Sequence, residues 1–214
     1  MKQKHILFDL DGTIVRSDLG ITKGVQKSLE HFGIYEELDD LKKFVGPPMV
    51  ESYTNLYGFS LEQYKEALDV FHDYYRSVGI FECELYEGIE EMLNSLSKEY
   101  KLYVATSKPE REAKRVIEHF GLEKYFTFVG GSDGDFNTKR DTKTAVIEYV
   151  LETNKIMDRN FAIMVGDKSH DIVGAGNTGL KSIGVLYGYG GLEEFEGANY
   201  IVRNVEDLRD MFLC

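Results

Sequence analysis

With 214 residues, 43% of them hydrophobic and 29% charged, the chain has enough apolar material for one core plus a small added unit and is too hydrophobic for a disordered tail. The formal charge of −12, without any basic block, excludes a protein that coats nucleic-acid duplexes by neutralising phosphates, yet leaves a small phosphorylated substrate open because one bound cation overrides the global field locally. Two distant cysteines, Cys83 and Cys214, exclude a disulfide framework or a zinc site, and no apolar run approaches the ~20 residues that span a bilayer, so the expectation is a reduced, cytoplasmic protein with neither membrane nor nucleic-acid partner.

The first predicted element is a buried strand over 6–10, and it runs into Phe8-Asp9-Leu10-Asp11-Gly12-Thr13. An Asp-Gly turn accounts for Asp11-Gly12 but not for Asp9, since Asp is disfavoured inside a strand. Two acids at a strand end repel each other and call for a hard, oxygen-loving cation such as Mg²⁺. The stretch 19–85 lacks a convincing strand. Ile21, Val25, Leu29 and Phe32 make one helical stripe, and Leu61, Tyr64, Leu68, Phe71 and Tyr75 make another, with Gly46-Pro47-Pro48 breaking the region between them. This reads as a helical cap over 18–85, inserted into a core of 1–17 and 86–214. Pro47, in a rigid loop, and Arg76, as a cation for a second anionic group, are the candidate specificity residues of the cap, although a helix break and a solvated side chain explain them equally well.

Further helices follow from Ile89, Met92, Leu93 and Leu96, from Ala113, Val116, Ile117 and Phe120 with Gly121 as C-cap, and from Val146, Ile147, Val150 and Leu151. They alternate with strands at 102–105, 126–129, 161–165 and Lys181–Val185, which predicts an α/β fold: a Rossmann-like parallel sheet with helices on both faces. Glu30-His31-Phe32-Gly33 and Glu118-His119-Phe120-Gly121 read as two similar helix ends and not as a duplication. After the second core strand, Thr106-Ser107-Lys108-Pro109 would offer a hydroxyl and helix N-terminal N–H groups to an anion, or simply an N-cap. Lys143 opens a helix whose dipole opposes its charge, and Lys108 rivals it as counter-charge for a phosphate. A second acidic pair, Asp167 and Asp171, follows the strand at 161–165; N-capping explains one of the two. Gly174-Ala175-Gly176-Asn177-Thr178-Gly179 has dinucleotide-fingerprint spacing but no strand directly before it, which rules out a dehydrogenase reading.

Taken in order, Asp9-Leu10-Asp11-Gly12-Thr13, Thr106, Lys143 and Gly166-Asp167-Lys168-Ser169-His170-Asp171 resemble the four motifs of the haloacid dehalogenase superfamily over the whole chain. The segments Thr106-Ser107-Lys108-Pro109 and Gly184-Val185-Leu186-Tyr187-Gly188-Tyr189-Gly190 resemble its phosphoglycolate-phosphatase-like branch. The resemblance implies a phosphomonoester hydrolase in which Asp9 is the nucleophile and Asp11 the acid and base. It implies Mg²⁺ on the Asp9 carboxylate, the Asp11 carbonyl and Asp167, with Asp171 ligating through water or orienting its neighbours. Thr106 and the Ser107 N–H would grip the phosphoryl group and Lys143 would offset its charge. An acid at position 11 favours phosphoryl chemistry over dehalogenation. Arg16 departs from the pattern, standing where relatives often carry Asp, Ser107 stands where Asn is frequent, and His170 is expected to be exposed and idle.

The expected substrate is a small phosphorylated metabolite such as phosphoglycolate. A 5′-nucleotidase, a pyrophosphatase and a sugar phosphomutase are the alternatives within the family, and a receiver-type phospho-acceptor domain is the non-enzymatic one. The oligomeric expectation is monomer or homodimer.

Overall fold

The computed structural model describes residues 4–46, 49–134 and 139–213. Along the chain the strands are β1 (His5–Phe8), β2 (Val15–Arg16), β3 (Glu84–Leu85), β4 (Lys101–Pro109), β5 (Phe126–Ser132), β6 (Ala162–Gly166), β7 (Lys181–Val185) and β8 (Tyr200–Val202). The helices are α1 (Asp18–His31), α2 (Met49–Tyr57), α3 (Leu61–Tyr75), α4 (Ile89–Leu96), α5 (Glu110–His119), α6 (Lys143–Thr153), α7 (Ser169–Asn177) and α8 (Val205–Leu213). The chain forms two compact units, one of Met1–Val15 with Leu85–Cys214 and one of Arg16–Glu84.

In the first unit six strands lie parallel in the order β5-β4-β1-β6-β7-β8. The strands are continuously apolar because both faces of the sheet are covered. Leu7, Tyr103, Ala105, Ala162 and Met164 pack with Val146, Ile147, Val150 and Leu151 of α6 and Ala175 of α7. The alternate residues Ile6, Phe8, Leu102, Val104, Ile163 and Val165 point to the opposite face by the pleat and are equally buried. Elsewhere in this unit α4 packs against α8. Leaving β1, the chain builds outward through β4 and β5, then returns to build β6, β7 and β8 on the other side. The succession therefore reverses between β1 and β6, and open sheets of this kind bind ligands beyond the strand ends at such a point.

Several boundaries differ from the sequence expectation. β4 runs on to Pro109, because Thr106 pairs with Gly131 of β5 and, after a register shift, Pro109 pairs with Ser132. A Cβ at Gly131 would lie 2.5 Å from the Lys108 carbonyl oxygen, so glycine is what lets the two backbones approach. Phe161 closes a 3-10 turn, Arg159–Phe161, ahead of β6. β8 escaped prediction: it is a three-residue edge strand with Tyr200 and Ile201 exposed, which leaves little apolar pattern.

The second unit packs α1 against α3, with Gly24 opening α1 to the Phe71 ring. Its core is Val25, Leu29, Leu41, Phe44, Tyr53, Tyr64, Ala67 and Phe71, and the Tyr53 hydroxyl is hydrogen-bonded to Ser28 inside it. Tyr53 lies against Phe44 (ring centroids 5.0 Å apart) and Phe59 (5.5 Å). Ser60 and Gln63 form a reciprocal capping box at the start of α3, so Leu61 faces solvent there and Ala67 takes up the buried stripe. The two similar tetrapeptides do end helices, with φ of 73° at Gly33 and 64° at Gly121. Gly174 and Gly176 lie in α7, and Gly179 (φ 73°) turns the chain into β7, an arrangement unlike a dinucleotide loop.

Replacing Leu7 by Ala, in the wholly buried centre of the sheet, is expected to cost about 2–5 kcal/mol, whereas Leu61→Ala should cost under about 0.5 kcal/mol. Urea denaturation of the two variants checks the contrast; equal losses would contradict the packing described.

Candidate active site

The site grows from the ends of β1 and β6. Phe8 lies opposite Val165, and the Asp9 N–H continues the ladder one residue further by donating to the Val165 carbonyl at 2.9 Å. Asp9 and Asp167 thereby leave adjacent strands at the point where the strand order reverses. The turn that follows Asp9 needs Gly12 in the left-handed region (φ 85°), and a Cβ there would strike the Asp167 carboxylate. Side chains at Gly188 or Gly190 would also collide with Asp167. The carboxylate thus sits in a glycine cradle, its Oδ2 accepting the Tyr189 N–H at 2.8 Å.

Asp171 is the third residue of α7 and its Oδ2 accepts the Lys168 N–H at 3.1 Å, while Gly166 leaves room for its carboxyl group. Neither acid is the N-cap of this helix; Lys168 occupies that position. The next free N–H, that of Ser169, donates to Glu194 at 2.9 Å, and Glu194 also meets the Lys168 ammonium at 3.2 Å. Glu194 and the Gly188-Tyr189-Gly190 cradle were not identified from sequence as part of the site. The glycines stood in a segment noted for resemblance, but Glu194 comes from a 3-10 turn, Leu192–Phe195, whose spacing from the acids carries no signal.

Two buried lysines contact three of the four acids. Lys143, the first residue of α6, has its Nζ 2.8 Å from Asp9 Oδ1 and 2.8 Å from Asp171 Oδ1, and donates to the Ala105 carbonyl at 3.3 Å. Gly174 of α7 clears its path, since a Cβ there would lie 3.0 Å from Lys143 Cγ. The helix dipole opposes a cation in this place, and the two carboxylates outweigh it. Lys108 contacts the third, its Nζ 2.6 Å from Asp11 Oδ2. The two rival lysines therefore meet different carboxylates.

Four carboxylates against two ammonium groups leave two formal negative charges in a site shielded from water. Burial is the main force pushing the Asp9 carboxyl up to about 6, and Lys143 holds it back from rising further. Burial, then Asp171 and Asp9, push Asp167 up to about 8. Burial alone would lower Lys143, but Asp171 and Asp9 raise it above the usual lysine range. Asp9, Asp167 and Asp171 each bring a carboxylate oxygen within 4.8 Å of the others. Oδ1 of Asp11 and Oδ1 of Asp167 are buried and accept no hydrogen bond. Orphaned hard oxygens and a double negative charge suit a divalent, oxygen-preferring cation.

The remaining candidates are placed as follows. Thr106 is buried beside the site on β4, its Oγ1 accepting the Lys108 N–H at 3.2 Å, and Ser107 next to it is exposed. Neither caps α5, because the strand continues past them and Pro109 holds the N-cap position. The expected placement of these residues at a helix N-terminus is therefore corrected: both lie within β4. His170 is exposed. Arg76 is the exposed C-cap residue of α3 in the other unit, and Pro47 lies outside the described residues.

The family model of the haloacid dehalogenase-like hydrolases matches residues 6–185. A 5′-nucleotidase of Pseudomonas aeruginosa is 36% identical over 196 residues, covering 91% of this chain and 87% of its own. A phosphoglycolate phosphatase of Vibrio parahaemolyticus is 27% identical over 220 residues, covering 97% of this chain and 95% of its own. The crystal structure of a predicted phosphatase from Clostridium acetobutylicum superposes with a TM-score of 0.93 at 43% identity, covering 100% of this chain and 99% of that one. The chain belongs to the haloacid dehalogenase-like hydrolase family, on its phosphatase side.

Proposed function

We propose that the chain is a Mg²⁺-dependent phosphomonoester hydrolase that works through an aspartyl-phosphate on Asp9, with a small phosphorylated metabolite such as phosphoglycolate as substrate. The observation that carries this reading is the convergence of Asp9, Asp167 and Asp171, with Lys143 bridging Asp9 and Asp171 and Lys108 on Asp11. The Asp9 carboxylate attacks phosphorus and the ester bond breaks with its electron pair on the leaving oxygen, which takes a proton from Asp11. Asp11 then receives a proton from the water that attacks phosphorus, and Asp9 is regenerated as phosphate leaves. Lys143 offsets the charge of the arriving phosphate, which would otherwise face an acidic pocket, and Thr106 with the Ser107 N–H holds its oxygens. The carboxylates of Asp9 and Asp167, the Asp11 carbonyl and, through water or by orientation, Asp171 are the groups that would hold Mg²⁺, whose chemistry there is neutralisation of charge on the phosphoryl oxygens.

In this reading Arg16–Glu84 is the cap that selects the substrate, with Arg76 as its candidate anion contact. A second reading, nucleoside monophosphates, is supported by the higher identity to the 5′-nucleotidase. Phosphate release from phosphoglycolate, a nucleoside monophosphate and pyrophosphate, each with Mg²⁺ and with chelator, decides between them. Phosphoglycolate is expected to lead by about tenfold or more in kcat/KM, against the ~1–3 kcal/mol a well-placed polar contact contributes to discrimination. A lead for the nucleotide installs the second reading, and no hydrolysis of any ester with metal present removes both.

Asp9→Asn should lower the steady-state rate on p-nitrophenyl phosphate by at least ~10³-fold while leaving the thermal midpoint within a few degrees of the parent, because the shape is kept and only the nucleophile is lost. Substantial remaining turnover would refute covalent catalysis at Asp9.

Asp9 and Asp167 bind protons more tightly in the folded chain than their ordinary value of 3.8 allows in the unfolded one. Stability of the metal-free protein is therefore expected to fall as pH rises from about 4 through the folded values near 6 and 8. Mg²⁺ competes with those protons, so the rise in Tm on adding it should be small at pH 5 and larger at pH 8. Thermal melts in chelator and in Mg²⁺ across this range check the sign; a Tm rise independent of pH would contradict it.

A further inference from the structure

The mechanism above leaves one buried charge of the site without a task, the ammonium of Lys108. We propose that Lys108 is the positioning residue of the acid-base carboxylate: it clamps Oδ2 of Asp11 and so reserves Oδ1 as the oxygen that carries the transferred proton. The proposal rests on the assignment of Asp11 as acid and base given above.

The geometry separates this lysine from the other one. Lys143 spans Asp9 and Asp171 at 2.8 Å each, whereas Lys108 reaches Asp11 Oδ2 at 2.6 Å. Both members of the Lys108 pair are well shielded, with 5% and 19% of their side-chain surfaces exposed, so the contact persists where a surface ion pair would be exchanged for water. An ammonium has donors and no acceptor. The oxygen it holds is therefore the one least able to carry a proton, and a proton on Asp11 belongs on the other. That other oxygen, Oδ1, is buried and accepts no hydrogen bond, which leaves it ready for a reacting partner.

Lys108 is brought there by the irregular end of β4. Between Thr106 and Pro109 the pairing with β5 shifts register, and the Lys108 N–H is held by Thr106 Oγ1 at 3.2 Å. The phosphate-gripping hydroxyl and the lysine are thus neighbours on one constrained segment.

In the first half of the reaction the phosphorus–oxygen ester bond breaks as the Asp9 oxygen–phosphorus bond forms. The proton on Asp11 Oδ1 passes to the leaving oxygen, and Asp11 becomes a carboxylate paired to Lys108. In the second half water attacks phosphorus, the Asp9 oxygen–phosphorus bond breaks, and the proton of that water returns to Oδ1. The lysine keeps its protons throughout.

Leaving groups differ in how much they need the proton, and that dependence tests the role. Lys108→Met and Lys108→Gln are compared with the parent enzyme on a series of substituted phenyl phosphates, running from p-nitrophenyl to p-methylphenyl phosphate, whose leaving group resembles the tyrosine phenol with its pKa of about 10. General acid catalysis contributes about 10²–10⁴-fold, so a misplaced acid should forfeit roughly 10–10²-fold of kcat/KM at the p-methylphenyl end and little at the p-nitrophenyl end. Because the second half-reaction also uses Asp11, a burst of p-nitrophenol approaching one equivalent of enzyme should precede a slowed steady state. Lys108→Arg, which keeps a donor on Oδ2, should recover most of the loss.

An equal loss across the series would overturn the proposal in favour of a direct hold on phosphate charge, and so would unchanged kinetics. Asp11→Asn in parallel keeps the two claims apart. If it lacks the leaving-group dependence, the assignment of Asp11 itself fails and the role of Lys108 goes with it. If Asp11→Asn shows the dependence and the Lys108 variants do not, only the positioning role is lost. Thermal midpoints of all variants confirm that folded proteins are compared.

Discussion

Like-charge confinement governs the architecture of the first unit. Asp9, Asp11, Asp167 and Asp171 are forced together where the sheet order reverses, and Lys143 and Lys108 neutralise half of their charge. Removing charges from water is costly unless they are paired, and here the pairing is incomplete by two charges. That shortfall is kept in place by the surrounding fold: a parallel sheet apolar on both faces, glycines at 12, 188 and 190 whose missing side chains make room for Asp167, and the early turns of α6 and α7. In the proposed reading the same shortfall is what would let a divalent cation and a phosphate be accommodated together. The cation would remove the excess negative charge, and the phosphate would then meet the ammonium of Lys143 and not a bare acidic wall.

The site also shows how packing requirements and chemical requirements coincide. Gly174 reads as a fragment of a dinucleotide motif in sequence, yet its role in space is to let Lys143 pass α7. Glu194 bonds the first N–H of α7 and the Lys168 side chain, so the acidic turn after β6 is tied to the loop that supplies the glycine cradle. These contacts hold the acidic turn from behind, and in the proposed reading that keeps carboxylates of the same sign within reach of one ion.

Chemistry is concentrated in the sheet unit, and the helical unit has the features of a separately packed body. Its aromatic cluster around Tyr53, its capping box at Ser60 and its close α1–α3 contact at Gly24 stabilise it internally. In the proposed reading, an arrangement of this kind lets the substrate-selecting surface vary without disturbing the acids.

The apolar runs and their 3.6-residue interruptions were sufficient to derive a parallel α/β sheet, because strands buried on both faces and amphipathic helices leave strong local periodicities. The acids were equally legible: Asp9 directly after an apolar strand and the Asp167–Asp171 pair stand out against local preferences in one dimension. Spacing could not reveal the partition of the lysines, since Lys108 lies 97 positions from Asp11, and only the folded sheet brings it and Lys143 to different carboxylates. The continuation of β4 to Pro109 was hidden for a related reason: Thr106 to Pro109 has the composition of a turn, and the register with Gly131 and Ser132 overrides it. Local chemistry thus determined which residues are anomalous, while the pairing of distant strands decided which of them meet, because contact across a sheet depends on strand order and not on distance along the chain.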